Sequence, residues 1–176
     1  YYTIMYNPNF NGNSRPGSGQ SYNGGRQNRG NQWGSQSRSG YHGSDNEETP
    51  KQIFDKANYQ SSWITNEADS NLVDFAEKMG IYMANNGLTN SKIRSIYGEI
   101  KRIQMGEFEK EKASFFLLRP KVAYALGRDD KNKGLLLFKI IFDACSKDVS
   151  NQKTYQNFCN LLEAILAYHR ANGGKD

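Results

Sequence analysis

TYQNFCNLLEAILAYHRANGG, residues 154–174, carries the clearest helical signal in the chain and with it the fold class. Tyr155, Phe158, Cys159, Leu162, Ile165, Leu166 and His169 recur at spacings of three and four, the period of one helix face, and Gly173 with Gly174 then end the run. The segment before it, KGLLLFKIIFDACSK (133–147), is apolar on nearly all sides and reads as a central buried helix. EKASFFLLRPKVAYALGR (111–128) has the same period but holds Pro120 in its middle, so it must kink or restart there. In NSKIRSIYGEIKRIQMG (90–106), Thr89 reads as the N-cap and Ile93, Ile96, Tyr97, Ile100 and Ile103 as the apolar face. SNLVDFAEKMGIYMANNG (70–87) places Leu72, Phe75, Ala76, Met79 and Met83 in one stripe ended by Gly87. Thr49 and Pro50 form an N-cap and N1 pair for a short helix in KQIFDKANY. No segment alternates as a half-buried strand does, so the expected fold is an all-α bundle of five or six helices over residues 49–176.

Residues 1–48 read differently. The first 44 contain nine of the 17 glycines, seven aromatic residues and no Leu or Val. Such a segment buries too little apolar area to offset its ordering entropy, and a disordered tail is expected. Arg26 and Arg29 beside glycines, with Tyr22, Trp33 and Tyr41 nearby, would suit loose RNA contact. Charge divides along the same boundary. Four basic residues (Arg15, Arg26, Arg29 and Arg38) and no acidic ones precede Ser44, so the formal charge of +5 splits into +4 on the tail and +1 on the remaining 132 residues.

Several classes are excluded by composition. No stretch approaches the roughly 18–20 apolar residues of a membrane span. YYTIMYNPNF at the start is not a charged region followed by an apolar one, so a soluble, cytoplasmic chain is expected. Two cysteines, Cys145 and Cys159, and two histidines, His42 and His169, do not make a structural zinc site; both cysteines read as buried free thiols, and no metal or cofactor is expected. A nucleophile needs a base within reach, usually a His, and the folded part offers only His169 on an apolar face. A non-catalytic protein is expected.

Binding has better support. At about 100° per residue, Arg94 and Lys101 project within about 20° of each other on one flank of the third helix, residues 90–106, about 10 Å apart along it, with Arg102 further round on the same side. Lys121, Tyr124 and Arg128 fall at i, i+3 and i+7, a cationic stripe with an aromatic between. Such faces suit phosphate contact. The competing reading is a free-standing helical protein-interaction module, in which these cations are only solvated.

The order of motifs carries a resemblance. TNSKIR (89–94), LLRPKVAYALGR (117–128) and QNFCNLLEAILAYHRANGGKD (156–176) together resemble the small subunit of the type III-A CRISPR effector, the Csm complex, over about residues 63–176. The Gly-rich tail lies outside it. The resemblance implies a compact helical bundle without catalytic activity, present in several copies along a ribonucleoprotein that serves antiviral defence. The partners it implies are the guide RNA (crRNA), the target RNA, the backbone subunits, the polymerase-like large subunit and other copies of the same chain. Lys92, Arg94, Arg119 and Arg128 match basic positions of the family pattern; Lys101, Arg102, Lys121 and Tyr124 rest on the helix-face argument alone. A subunit that serves any guide must hold a duplex through phosphates and shape, because base pairing carries the sequence information.

Overall fold

A computed structural model of the chain describes residues 48–174. The tail reading for residues 1–48, and His42 with it, lies outside them apart from Glu48. Eight α-helices and one 3-10 turn make up the regular structure among these residues: α1 (Pro50–Lys56), α2 (Ser62–Thr65), α3 (Ser70–Asn85), α4 (Asn90–Gln104), α5 (Phe108–Phe116), α6 (Leu118–Gly127), α7 (Lys133–Cys145), the turn Ser146–Asp148 and α8 (Gln152–Ala171). This is the expected all-α domain with more pieces than periodicity reveals. One extra piece is α2, too short to show a period, which buries Trp63 and Ile64. The other comes from Pro120. In a continuous helix its ring would meet the carbonyl of Phe116 four residues earlier. The chain instead breaks at Leu117, which ends α5 and precedes α6, so that Pro120 falls in the first turn of α6, where no N–H is needed.

Caps explain most other boundaries. Thr49 and Gln52 form a reciprocal capping box at α1, and Asn151 with Thr154 do the same at α8. Asp69 and Asn132 accept from the third N–H of α3 and α7. Thr89 departs from expectation. It occupies the N-cap position of α4, yet its hydroxyl pairs with Ser91 Oγ at 3.0 Å rather than with a backbone N–H. After α3, Gly87 takes a φ of +83°, which a residue with a Cβ adopts only under strain.

The hub of the packing is α8 rather than α7. It lies against α2, α3, α4 and α5, whereas α7 meets α1, α3 and α6. The predicted stripe of α8 is buried except for Leu166, which is half-exposed, and Leu161 is buried in addition, because α8 is covered on two sides. Gly80 permits the close crossing of α3 on α8: a Cβ there would lie 2.7 Å from the Ile165 carbonyl and the His169 amide nitrogen. Polar ties cross the same region. Tyr155 Oη donates to the Ile100 carbonyl at 2.8 Å, fixing α8 to α4, and Asn157 Nδ2 donates to Ile64 and Asn66 carbonyls, fixing α2. Phe108, Phe115, Phe142, Tyr155 and Phe158 form a continuous ring cluster that joins α5, α7 and α8. Cys145 and Cys159 are buried free thiols, and burial pushes Cys145 far above its ordinary range and Cys159 up to about 12.

Candidate nucleic-acid interface

The helix α4 lies between α6 and α8, and a groove opens on either side of it. The α4–α6 groove, about 940 Å³, is lined by Lys92, Lys121, Tyr124 and Arg128 together with Glu99 and Asp129. The α4–α8 groove, about 590 Å³, holds Arg94, Tyr97, Glu163 and Arg170. The structure therefore divides the eight candidate residues between separate surfaces. Arg94 and Lys101 do turn toward the same neighbour, α8. Arg102 does not: it reaches α5, with Glu111 at 3.0 Å and Glu99 of its own helix at 3.2 Å.

The expectation of helix faces that carry only cations is corrected by the ion pairs. Lys92 pairs with Asp129, and Lys101 with Glu163. Arg119 lies 3.6 Å from Asp143, and Lys121 lies 3.7 Å from Glu99. With Arg102, five of the seven candidate cations have a carboxylate within reach. The cause is tertiary: a helical wheel treats α4 and α6 as isolated, whereas neighbouring helices bring their own acidic flanks alongside. Hydrogen bonding to Glu163 raises the Lys101 ammonium above its ordinary range, and Lys92 holds the Asp129 carboxyl below the usual carboxylate range. These pairs are partly exposed, where solvent screening leaves an ion pair little effect on stability. Their effect is on availability, since a paired cation must leave its carboxylate to meet a phosphate.

Among the described residues, Arg94 and Arg128 have no such carboxylate. Arg128 instead places its guanidinium 5.9 Å from the centre of the Tyr124 ring, and Tyr124 is 69 % exposed. Arg170 is a cation that helix-face reasoning missed. It stands in the last turn of α8 and joins Arg94 in the α4–α8 groove. Its signal was present, since it follows His169 immediately on the polar side of the most regular helix. His169 itself is fully buried and bonded to the Leu88 carbonyl, away from both grooves. Among the described residues no three His, Cys, Asp or Glu side chains gather as a metal site would require, and no helix is long and apolar enough to cross a membrane.

The family described as Csm2 Type III-A matches residues 66–175, which hold α3 through α8 and both grooves. A Streptococcus thermophilus protein described as "CRISPR system Cms protein Csm2" is 32 % identical over 124 residues, covering 61 % of this chain and 96 % of that protein. No solved structure matches the chain. The match spans most of the helical domain and includes the SKIR, LLRPKVAYALGR and EAILAYHR segments: the chain belongs to the Csm2 family of type III-A CRISPR systems.

Proposed function

We propose that the chain is a non-catalytic small subunit of a type III-A RNA-guided ribonucleoprotein, packed in several copies along the duplex of guide RNA and target RNA. Its domain from residue 49 onward holds the duplex backbone through Lys and Arg on the flanks of α4 and α6. Guide RNA, target RNA, the backbone subunits, the polymerase-like large subunit and further copies of itself are its partners, and antiviral defence is the purpose. One observation carries most weight: among the described residues Arg94 and Arg128, on opposite sides of α4, have no carboxylate partner, whereas Lys92, Lys101 and Lys121 are paired. Guanidinium groups of this kind meet phosphates bidentately and regardless of sequence. Lys92, Lys101, Arg102, Arg119 and Lys121 act in a lesser degree, because each exchanges an internal carboxylate for a phosphate. Replacing Arg94 and Arg128 together by Ala should weaken RNA binding and flatten its salt dependence by up to about two units of slope. An unchanged slope would remove both residues from the interface.

The extent of internal pairing favours a second reading, a helical protein-interaction module with no RNA role. Gel filtration with and without guide–target duplex separates the two. The module neither shifts with RNA nor joins a large ribonucleoprotein.

A further inference from the structure

The α4–α6 groove carries more apolar surface than phosphate contact requires. Leu117, Pro120, Ala125 and Leu135 contribute to its walls, and Tyr124 stands over it. Leu117 and Tyr124 are 59 % and 69 % exposed, and Phe116, adjacent to Leu117, is exposed as well. A guanidinium or ammonium recognises phosphate by charge and hydrogen bonds, to which an aliphatic wall adds nothing. Large apolar groups gathered at one exposed place mark a surface that something covers. On α6, Lys121, Tyr124 and Arg128 share one face, and the guanidinium lies 5.9 Å from the ring centre, at the outer end of the roughly 6 Å range over which cation and ring attract. Arg128 thus lies over the ring only at the far limit of that attraction, and Tyr124 stays 69 % exposed. Lys121 is loosely held too, with Glu99 at 3.7 Å.

We infer that this groove takes one unpaired nucleotide of RNA, its base stacked on Tyr124 and its phosphate between Arg128 and Lys121. The inference rests on the RNA reading above and adds a place for a base to surfaces that otherwise meet only backbone. Charge complementarity selects the phosphate, and a flat aromatic ring beside aliphatic walls selects a base. A stacking platform accepts every base through its π face, which suits a subunit that must serve any guide. A base within an intact duplex has both faces covered by its neighbours and does not reach the ring. The groove thereby distinguishes interrupted from continuous duplex.

The test uses the full chain and an RNA duplex carrying a single unpaired 2-aminopurine, with an uninterrupted duplex of equal length alongside. Stacking on Tyr124 quenches the fluorescent base, and the interrupted duplex binds more tightly. Tyr124→Ala removes an exposed side chain, abolishes the quench and weakens binding of the interrupted duplex by about 5- to 150-fold, a larger fall than on the uninterrupted one. Tyr124→Phe retains both signals. A quench that survives in Tyr124→Ala, or a loss in Tyr124→Phe equal to that in Tyr124→Ala, overturns the inference. If the uninterrupted duplex binds with normal salt dependence while Tyr124→Ala is silent, this inference alone fails; if the wild-type chain binds neither RNA, the proposed function fails with it. Normal RNA affinity with impaired entry of Tyr124→Ala into the assembled ribonucleoprotein would mark the groove as a protein-docking surface and also overturn it.

Discussion

The imidazole Nε2 of His169, in the last turn of α8, donates to the Leu88 carbonyl between α3 and α4 at 2.9 Å. A carbonyl only accepts, so Nε2 carries the hydrogen, and the buried Nδ1 faces no partner. Gly174 lies against the ring, its N–H returning to the His169 carbonyl at 2.9 Å, and a Cβ there would occupy the position of the imidazole. One side chain thus joins the end of the bundle to the start of α4, the helix that borders both grooves.

Removing that ring should therefore loosen the whole domain. His169→Ala leaves the Leu88 carbonyl without its donor and opens a cavity, together about 2–4 kcal/mol by urea unfolding. Gly174→Ala overpacks the same place and should cost about 1–3 kcal/mol. A His169→Ala midpoint equal to that of the wild type would show that Leu88 and His169 are not coupled.

Acid should act through Asp69. Its Oδ1 accepts the Leu72 N–H at 3.0 Å and the Trp63 indole N–H at 2.8 Å, and chiefly the first of these holds its carboxyl below the ordinary 3.8. A carboxyl lowered by folding contributes stability that is present above its unfolded value and lost as pH falls through the lower folded value. Asp129, held down by Lys92, and Glu111, held down by Ser114 and Arg102, follow the same sign. Urea midpoints should fall as pH drops below about 4. Asp69→Asn keeps the cap without the charge and should flatten that fall, whereas Asp69→Ala should lower the midpoint at every pH. Parallel profiles for wild type and Asp69→Asn would exclude the Asp69 carboxylate as a source.

Arg94 and Lys101 share a flank of α4 but differ in readiness. Lys101 is held by Glu163 and lies 5.7 Å from the Tyr97 ring centre, while Arg94 has no carboxylate beside it among the described residues. Arg94→Ala should therefore reduce the salt slope of RNA binding by nearly one unit and Lys101→Ala by much less. Glu163→Gln frees Lys101 and should steepen the slope. If Lys101→Ala flattens the slope as much as Arg94→Ala, internal pairing does not control availability.

Both thiols should be inert in the folded protein. With Cys159 pushed up to about 12 and Cys145 raised well above its ordinary range by burial, both stay protonated at pH 8. Alkylation by iodoacetamide should wait for urea unfolding. Fast labelling of either residue in native buffer would place it outside the core.

Helix periods were legible because each stripe repeats within its own segment: Leu72 to Met83 are buried as read, Ile93 to Ile103 likewise apart from half-buried Tyr97, and Tyr155 to His169 apart from Leu166. Trp63 and Ile64 were not, since four residues of α2 show no period. The candidate cations were legible as residues and as family positions, but their partners were not. Glu99, Glu111, Asp129, Asp143 and Glu163 are between 3 and 62 residues away in sequence from the cations they meet.

Residue order alone was enough for the helical class, for the burial of both thiols and, through the succession SKIR, LLRPKVAYALGR, EAILAYHR, for the family. Each of these depends on local spacing within one segment or on the order of segments. The availability of individual cations, the place of α8 as the hub, and the position of Tyr124 and Arg128 over an apolar groove came from the folded arrangement. Those depend on which helix flanks face one another, and packing between segments distant in the chain sets that arrangement.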